Sequence, residues 1–245
     1  GYPDLEYAHL PLVLGEDKKR LSKRHAATSL NAYKEMGFTK ETIINALALL
    51  GWSTKNEIFS IDELIESFKL ENVQKAAAVF DLKRFNWVSS QQLAKLDENG
   101  FFEVIKPFME NEDINEDNPN YKKILLAMRT SKTNLKDIAL ATRPFFFELD
   151  GYDEKGVKKF LNESLETLTF GLEVLSKVTE WNETELDMAL IKVRDYFNLP
   201  IPRVNQPMRI ALVGSTVSPS LGLTLELFGK EKSLERIQKA IDFIS

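Results

Sequence analysis

The sequence contains no cysteine and only two histidines, His9 and His25. The first absence excludes a disulfide framework, a cysteine-ligated zinc site and a thiol nucleophile; the second leaves little imidazole for metal ligation or base chemistry. No metal site is expected. Glycine and proline are sparse, 11 and 9 of 245 residues, below the roughly 12% of an average chain, so a helix-rich, mainly α fold is expected. No apolar run approaches the ~20 residues that span a bilayer. The first thirty residues, with Asp4, Glu6 and a lysine-rich centre, lack the core of a signal peptide. A cytoplasmic protein without a membrane partner is expected. An excess of positive charge is missing too: 32 Lys and Arg against 37 Asp and Glu give a net charge of −5. A nucleic-acid partner would therefore need local basic patches, because cations act on phosphates within about a Debye length. The chain begins with Gly1 rather than Met, which predicts a piece of a longer protein.

What is present reads mostly as helices. Ala8-His9-Leu10-Pro11-Leu12-Val13-Leu14 is short and apolar and predicts a buried strand ending in a turn at Gly15-Glu16-Asp17. From Thr39, the positions Ile43, Ile44, Leu47 and Leu50 form a helical stripe closed by Gly51. Ser60-Ile61-Asp62-Glu63 has the form of a capping box that opens another helix. Phe80 to Leu96 is predicted helical in pieces, and acid-rich residues 97 to 120 suggest a module boundary. Helical period recurs in Phe160, Leu161, Leu165, Leu168, Leu172 and Leu175, in Leu186, Leu190, Val193 and Phe197, and in a last helix carrying Leu234, Ile237, Ile241 and Ile244. Arg209-Ile210-Ala211-Leu212-Val213, ending at Gly214, is too short for a packed helix and predicts a buried extended run before a turn at Ser218-Pro219. No internal repeat appears.

The densest chemical signal is Lys18-Lys19-Arg20-Leu21-Ser22-Lys23-Arg24-His25, with five cations in seven residues after a predicted strand. Such a run is either a solvated basic loop or a mobile phosphate clamp, whose ammonium groups neutralise charge developing on a triphosphate. Arg20-Leu21-Ser22-Lys23-Arg24 resembles the KMSKS signature of class I aminoacyl-tRNA synthetases, in the KLSKR form of bacterial glutamyl-tRNA synthetases. The surroundings agree: Ala8 to Asp17 before it, Ala27-Thr28-Ser29 after it, then Asn45 to Trp52, Glu57-Ile58-Phe59-Ser60, Ala78-Val79-Phe80-Asp81, Arg209 to Ser215 and Gly229 to Ile237. The resemblance covers essentially the whole chain.

It implies three segments in a mainly helical, elongated fold: residues 1–95 with the loop and stem-contact region, 96–149 as a first anticodon-binding module, and 150–245 as a second. The implied parent reaction attaches glutamate to tRNA through glutamyl-adenylate and uses ATP with Mg2+. Lys23, Ser22 and Arg20 are then the candidate catalytic residues, with Lys23 as the ATP-phosphate contact. The family's HIGH motif and glutamate pocket find no counterpart in these residues, since neither His9-Leu10-Pro11-Leu12 nor His25-Ala26-Ala27-Thr28 can serve. The chain alone is therefore expected to lack activity and to bind no ATP.

For tRNA the resemblance nominates three places. Arg84 stands where the family usually has a lysine facing tRNA, and Lys75 is kept from a Val-Ser-Lys-Ser block that here reads Val73-Gln74-Lys75-Ala76; Asn86-Trp87-Val88-Ser89 departs from the usual Trp-Leu-Asn ending. Arg129, Ser131 and Lys132 lie in the block that inspects the last anticodon base. A serine at 131, where some members have arginine, is a small donor and acceptor, which leaves acceptance of the tRNA for glutamine open beside that for glutamate. Arg209, Ser218 and Pro219 belong to the block contacting other anticodon bases. A monomer is expected, with no DNA partner.

Other constellations fail. Gly151-Tyr152-Asp153-Glu154-Lys155-Gly156-Val157-Lys158 has Val157 where a phosphate-binding loop requires lysine, and reads as a helix-start loop. Arg143-Pro144-Phe145-Phe146-Phe147 reads as packing between modules rather than a base-stacking platform. Ser22 or Ser29 with His25 lacks a third orienting group. The competing class is a synthetase-like helical adaptor or regulator without aminoacylation activity; the departures at Gln74, Ala76 and Ser89 speak for it, and the preserved Arg20 to Arg24 loop speaks against it.

Overall fold

The computed structural model describes residues 7–22, 29–52, 54 and 56–245. Their structure is mainly helical, with two short strands, and divides into two compact units. The first comprises Gly1–Phe108 with Lys132–Asp137, and the second Met109–Ser131 with Ile138–Ser245. No helix among the described residues is long and apolar enough to cross a membrane.

In the first unit, β1 (Val13–Leu14) pairs in parallel with β2 (Ala78–Val79). The expected buried strand over residues 8–14 is thus only two residues long. Burial requires a facing layer as well as an apolar side chain, and Tyr7, Leu10 and Leu12 remain 81%, 70% and 58% exposed. Helix α1 (Leu30–Glu35) starts at Ser29, whose hydroxyl accepts from Ala32 N–H at 3.1 Å. Helix α2 (Lys40–Leu49) starts at Thr39 in the same way. The face of α2 that is buried carries Thr42, Asn45 and Ala46; of the apolar stripe Ile43 and Leu50 pack against the core, while Ile44 and Leu47 stay exposed. Polar residues win here because each finds partners. Asn45 Nδ2 donates to Glu57 O at 2.9 Å, and Asn45 Oδ1 accepts from Phe59 N–H at 3.3 Å and from Gln92 Nε2 at 2.7 Å.

Helix α3 (Ile61–Ser67) opens with the full capping box: Glu63 N–H donates to Ser60 Oγ at 3.1 Å, and Ser60 N–H donates to Glu63 Oε2 at 2.7 Å. Helix α4 (Leu82–Lys95) is one continuous helix rather than pieces, nucleated by Asp81, which accepts from the N–H groups of Lys83 and Arg84. Between these helices Tyr33, Phe38, Phe80 and Phe85 form an aromatic core, with Phe38 and Phe85 edge-on at 4.7 Å. Residues 132–137 close this unit. Ser89 Oγ donates to Thr133 O at 2.5 Å, and Leu135 N–H donates to Gly37 O at 2.9 Å. A Cβ at Gly37, where φ is +86°, would sit 2.4 Å from Lys136 N, so only glycine allows this approach.

Helix α5 (Glu98–Asn111) occupies much of the acid-rich stretch. The second unit contains α6 (Tyr121–Met128), most of α7 (Leu135–Phe146) and α8 (Glu154–Gly156), which continues into a π-turn at Val157–Leu161. Helices α9 (Leu165–Ser176), α10 (Glu183–Phe197), α11 (Ile201–Val213), α12 (Leu221–Phe228) and α13 (Lys230–Ile244) follow. The predicted period holds at Leu161, Leu168 and Leu175 and at Leu186 and Val193, all fully buried. Asp153 Oδ2 accepts from Gly156 N–H at 2.6 Å, which makes residues 151–158 a helix start, as expected.

The extended run expected at residues 209–213 is instead the last part of α11. Pro200 and Pro202 stand at its first turn, where a missing N–H costs nothing, and Ile210, Ala211 and Leu212 are fully buried. A helix buried on several faces shows no amphipathic period, which is why the apolar run resembled a strand. The three phenylalanines pack inside the second unit: Phe145 stacks on Phe228 at 4.7 Å, and Phe146 meets Tyr121 edge-on.

Candidate functional site

Of the catalytic candidates, Lys23 lies outside the described residues, as do Arg24 and His25. Arg20 and Ser22 are described, one exposed and one half-buried. They leave a tight hairpin: Gly15 N–H donates to Lys19 O at 2.8 Å, Leu14 and Arg20 bridge in antiparallel fashion, and Leu21 N–H donates to Val13 O at 2.9 Å. On its other side β1 is held by β2, and Phe80 N–H reaches Leu14 O at 2.8 Å. The basic segment therefore springs from an anchored stem. Residues 18–24 offer ammonium, guanidinium and hydroxyl donors without a carboxylate among them, a donor set that fits a polyphosphate.

Arg84 sits in the first turn of α4, and its Nη2 donates to Glu57 Oε1 at 2.7 Å. Both side chains are about half exposed, and both line a cavity of about 340 Å³ with Trp52, Gln74, Phe80 and Asp81. Lys75 is exposed and lines a second cavity with His9, Leu10, Pro11 and Glu71. Gln74 borders both cavities, so the structure brings these two candidate contacts into neighbouring places.

The middle block is divided between the units. Arg129 and Ser131 end α6 in the second, whereas Lys132 belongs to the first. Ser131 Oγ donates its proton to Met128 O at 2.6 Å. The hydroxyl consequently presents an acceptor rather than a donor.

The third group converges. Arg209, on α11, donates from Nε to Ser218 Oγ at 2.8 Å and from Nη2 to Pro219 O at 3.3 Å. Ser218 Oγ also lies 3.0 Å from both Thr224 Oγ1 and Pro219 O, which ties the turn to the start of α12. Burial lowers the guanidinium's pKa from its ordinary value. The contacts that hold it come from neutral oxygens, so its full charge is retained.

The protein family described as "Anticodon binding domain" matches residues 100–241, more than half of the chain, and "tRNA synthetases class I (E and Q), catalytic domain" matches residues 1–87. The chain belongs to this anticodon-binding domain family. It is 38% identical to the glutamate–tRNA ligase of Syntrophotalea carbinolica, over 98% of this chain and 52% of that protein. To glutamate–tRNA ligase 1 of Syntrophus aciditrophicus it is 36% identical, over 100% of this chain and 52% of the relative. A glutamate tRNA ligase from Elizabethkingia meningosepticum, crystallised with its amino acid, superposes with a TM-score of 0.79 at 28% identity, covering 100% of this chain and 53% of that one. The chain thus spans about half the length of the relatives it matches.

Two family-shared regions contain residues that sequence reasoning passed over. Glu57 stands in a block that resembles the family, and nothing in its neighbours signals the pairing with Arg84 made across 27 residues. Arg236 is 2% exposed, donating to Leu212 O at 2.5 Å and Phe147 O at 2.6 Å and lying over the Phe228 ring. Its signal was available: it directly precedes Ile237 in the apolar register of the last helix.

Proposed function

We propose that this chain is the tRNA-binding, anticodon-reading portion of an enzyme that attaches glutamate to tRNA in an ATP-dependent reaction. The observation that carries the reading is the Arg209–Ser218–Pro219 group. Three residues that the resemblance nominates as one block, up to ten positions apart in sequence, meet within 3.3 Å in the second unit, inside the span matched to the anticodon-binding family. An arginine fixed at two of its nitrogens keeps a planar, charged face of defined orientation, suited to an unstacked base or its phosphate. Ser218 and Pro219 are held in place by the same bonds.

The functional division follows the sequence: residues 1–95 meet the acceptor side through Lys75 and Arg84, 96–149 read the last anticodon base through Arg129, Ser131 and Lys132, and 150–245 read the others. With its proton committed to Met128, Ser131 offers only an acceptor and a small volume, which favours tolerance of the tRNA for glutamine as well as that for glutamate. ATP with Mg2+, when bound in the whole enzyme, would supply the adenylyl group that the glutamate carboxylate takes up at the α-phosphorus as pyrophosphate leaves. In that setting Lys23 would contact the ATP phosphates, with Arg20 as a further catalytic residue and Ser22 orienting the loop. The protein acts as a cytoplasmic monomer.

The test is titration with unmodified transcripts for glutamate and glutamine tRNAs and one with a swapped anticodon, at two salt concentrations. The reading expects the swapped anticodon to bind more weakly and all affinities to fall with salt. Binding indifferent to the anticodon would refute it in favour of the adaptor.

A further inference from the structure

The Arg84–Glu57 pair is built into the fold rather than left to two mobile side chains. Arg84 is fixed at its backbone by Asp81, whose carboxylate accepts its N–H at 3.2 Å. Glu57 is fixed from the other side. Its carbonyl accepts from Asn45, which is 1% exposed, and two residues later Phe59 is held at both polar groups, by Asn45 at N–H and by Gln92 at the carbonyl. A buried amide network therefore fixes the backbone at Glu57, and its half-exposed carboxylate stands 2.7 Å from Nη2 of Arg84.

A guanidinium fork accepts carboxylate and phosphate oxygens in the same way. From this we infer that Glu57 Oε1 marks the seat of an RNA backbone phosphate on Arg84, and that tRNA binds there by exchanging phosphate for carboxylate. The inference rests on the tRNA-binding reading and adds to it an affinity-setting residue. Its consequence concerns counterions. A free arginine that neutralises a phosphate releases the cation condensed on that phosphate. While Glu57 holds Arg84, a phosphate at this contact meets a neutral pair rather than a free cation, so the contact adds little to the salt-dependent attraction. Asp81, in the same cavity, adds a second carboxylate that an ill-placed anion must approach. The contact therefore rewards a phosphate held at one place and contributes little general attraction.

The experiment measures equilibrium binding of glutamate tRNA transcript over a range of salt for the full chain and for Glu57→Gln, Arg84→Gln, the double variant and Glu66→Gln, an exposed α3 carboxylate that supplies the same change in net charge. Thermal unfolding of each variant checks the fold. Glu57→Gln is expected to bind up to about fivefold more tightly, the range of an exposed ion pair. Its log–log salt slope should steepen by about 0.9, one additional counterion released. Arg84→Gln should weaken binding, and the gain from Glu57→Gln should vanish in the double variant and exceed that of Glu66→Gln.

Unchanged affinity and slope in Glu57→Gln, or a gain that survives loss of Arg84, would overturn the inference. So would an Arg84→Gln variant that binds like the parent. Discrimination between anticodons decides the anticodon-reading role separately, so failure at Arg84 with discrimination intact removes this inference and the Arg84 contact while the anticodon-reading role stands.

Discussion

The two units bury polar groups in opposite ways. The first sequesters neutral amides, Asn45 and Gln92, and keeps the charge of Arg84 at the rim, cancelled by Glu57. The second buries one arginine, Arg236, almost completely and half-buries another, Arg209, and holds both with neutral oxygens. Desolvating a cation is costly, and hydrogen bonds to carbonyls and hydroxyls offset the cost without cancelling the charge. The first arrangement gives a cation that must change partners to act on RNA. The second gives one that is already oriented and still charged.

That contrast breaks most visibly at Arg236. Arg236→Met keeps the volume and the contact with Phe228 but leaves the carbonyls of Leu212 and Phe147 without a donor. A loss of roughly 2–5 kcal/mol is expected, read from denaturant unfolding. A variant as stable as the parent would mean that the guanidinium is not what holds those two helix ends. Arg209→Gln comes next. Binding to the matched anticodon should fall about tenfold or more, with loss of discrimination at the bases it meets, and the fall should exceed that of Arg84→Gln. Equal losses would erase the distinction between a free and a cancelled cation.

The smallest effect is a pH dependence. Hydrogen bonds from Lys232 and then Lys239 lower the carboxyl of Glu148 from 4.5 to about 2. A depressed carboxylate contributes stability that is complete above its unfolded pKa and is lost as pH falls through the folded one, here between about pH 5 and 2. The group is largely exposed, so the contribution is below about 1 kcal/mol. Glu148→Gln should lower stability by that amount at neutral pH and leave it nearly unchanged near pH 2, which flattens the acid limb of the profile.

How far the sequence was legible follows from the range of the forces involved. The capping box at Ser60 and Glu63 is made within four residues, and there local chemistry decides. The Leu168–Leu175 and Leu186–Val193 periods were visible because those helices have one wet side. Residues 209–213 lost that signal by being buried on several faces, and Ile44 and Leu47 misled because Thr42 and Asn45 found polar partners in distant parts of the chain. At the site, Arg209 with Ser218 and Pro219 was legible from family resemblance and is compact in space. Glu57 was not, because a pairing across 27 residues leaves no periodic trace.

The six residues 132–137 complete a unit whose other members end at Phe108. They supply the carbonyl that receives Ser89 and the N–H that reaches Gly37. During synthesis the first unit therefore waits with an open seam while residues 109–131 emerge, and it seals only when the strap behind them has cleared the ribosome.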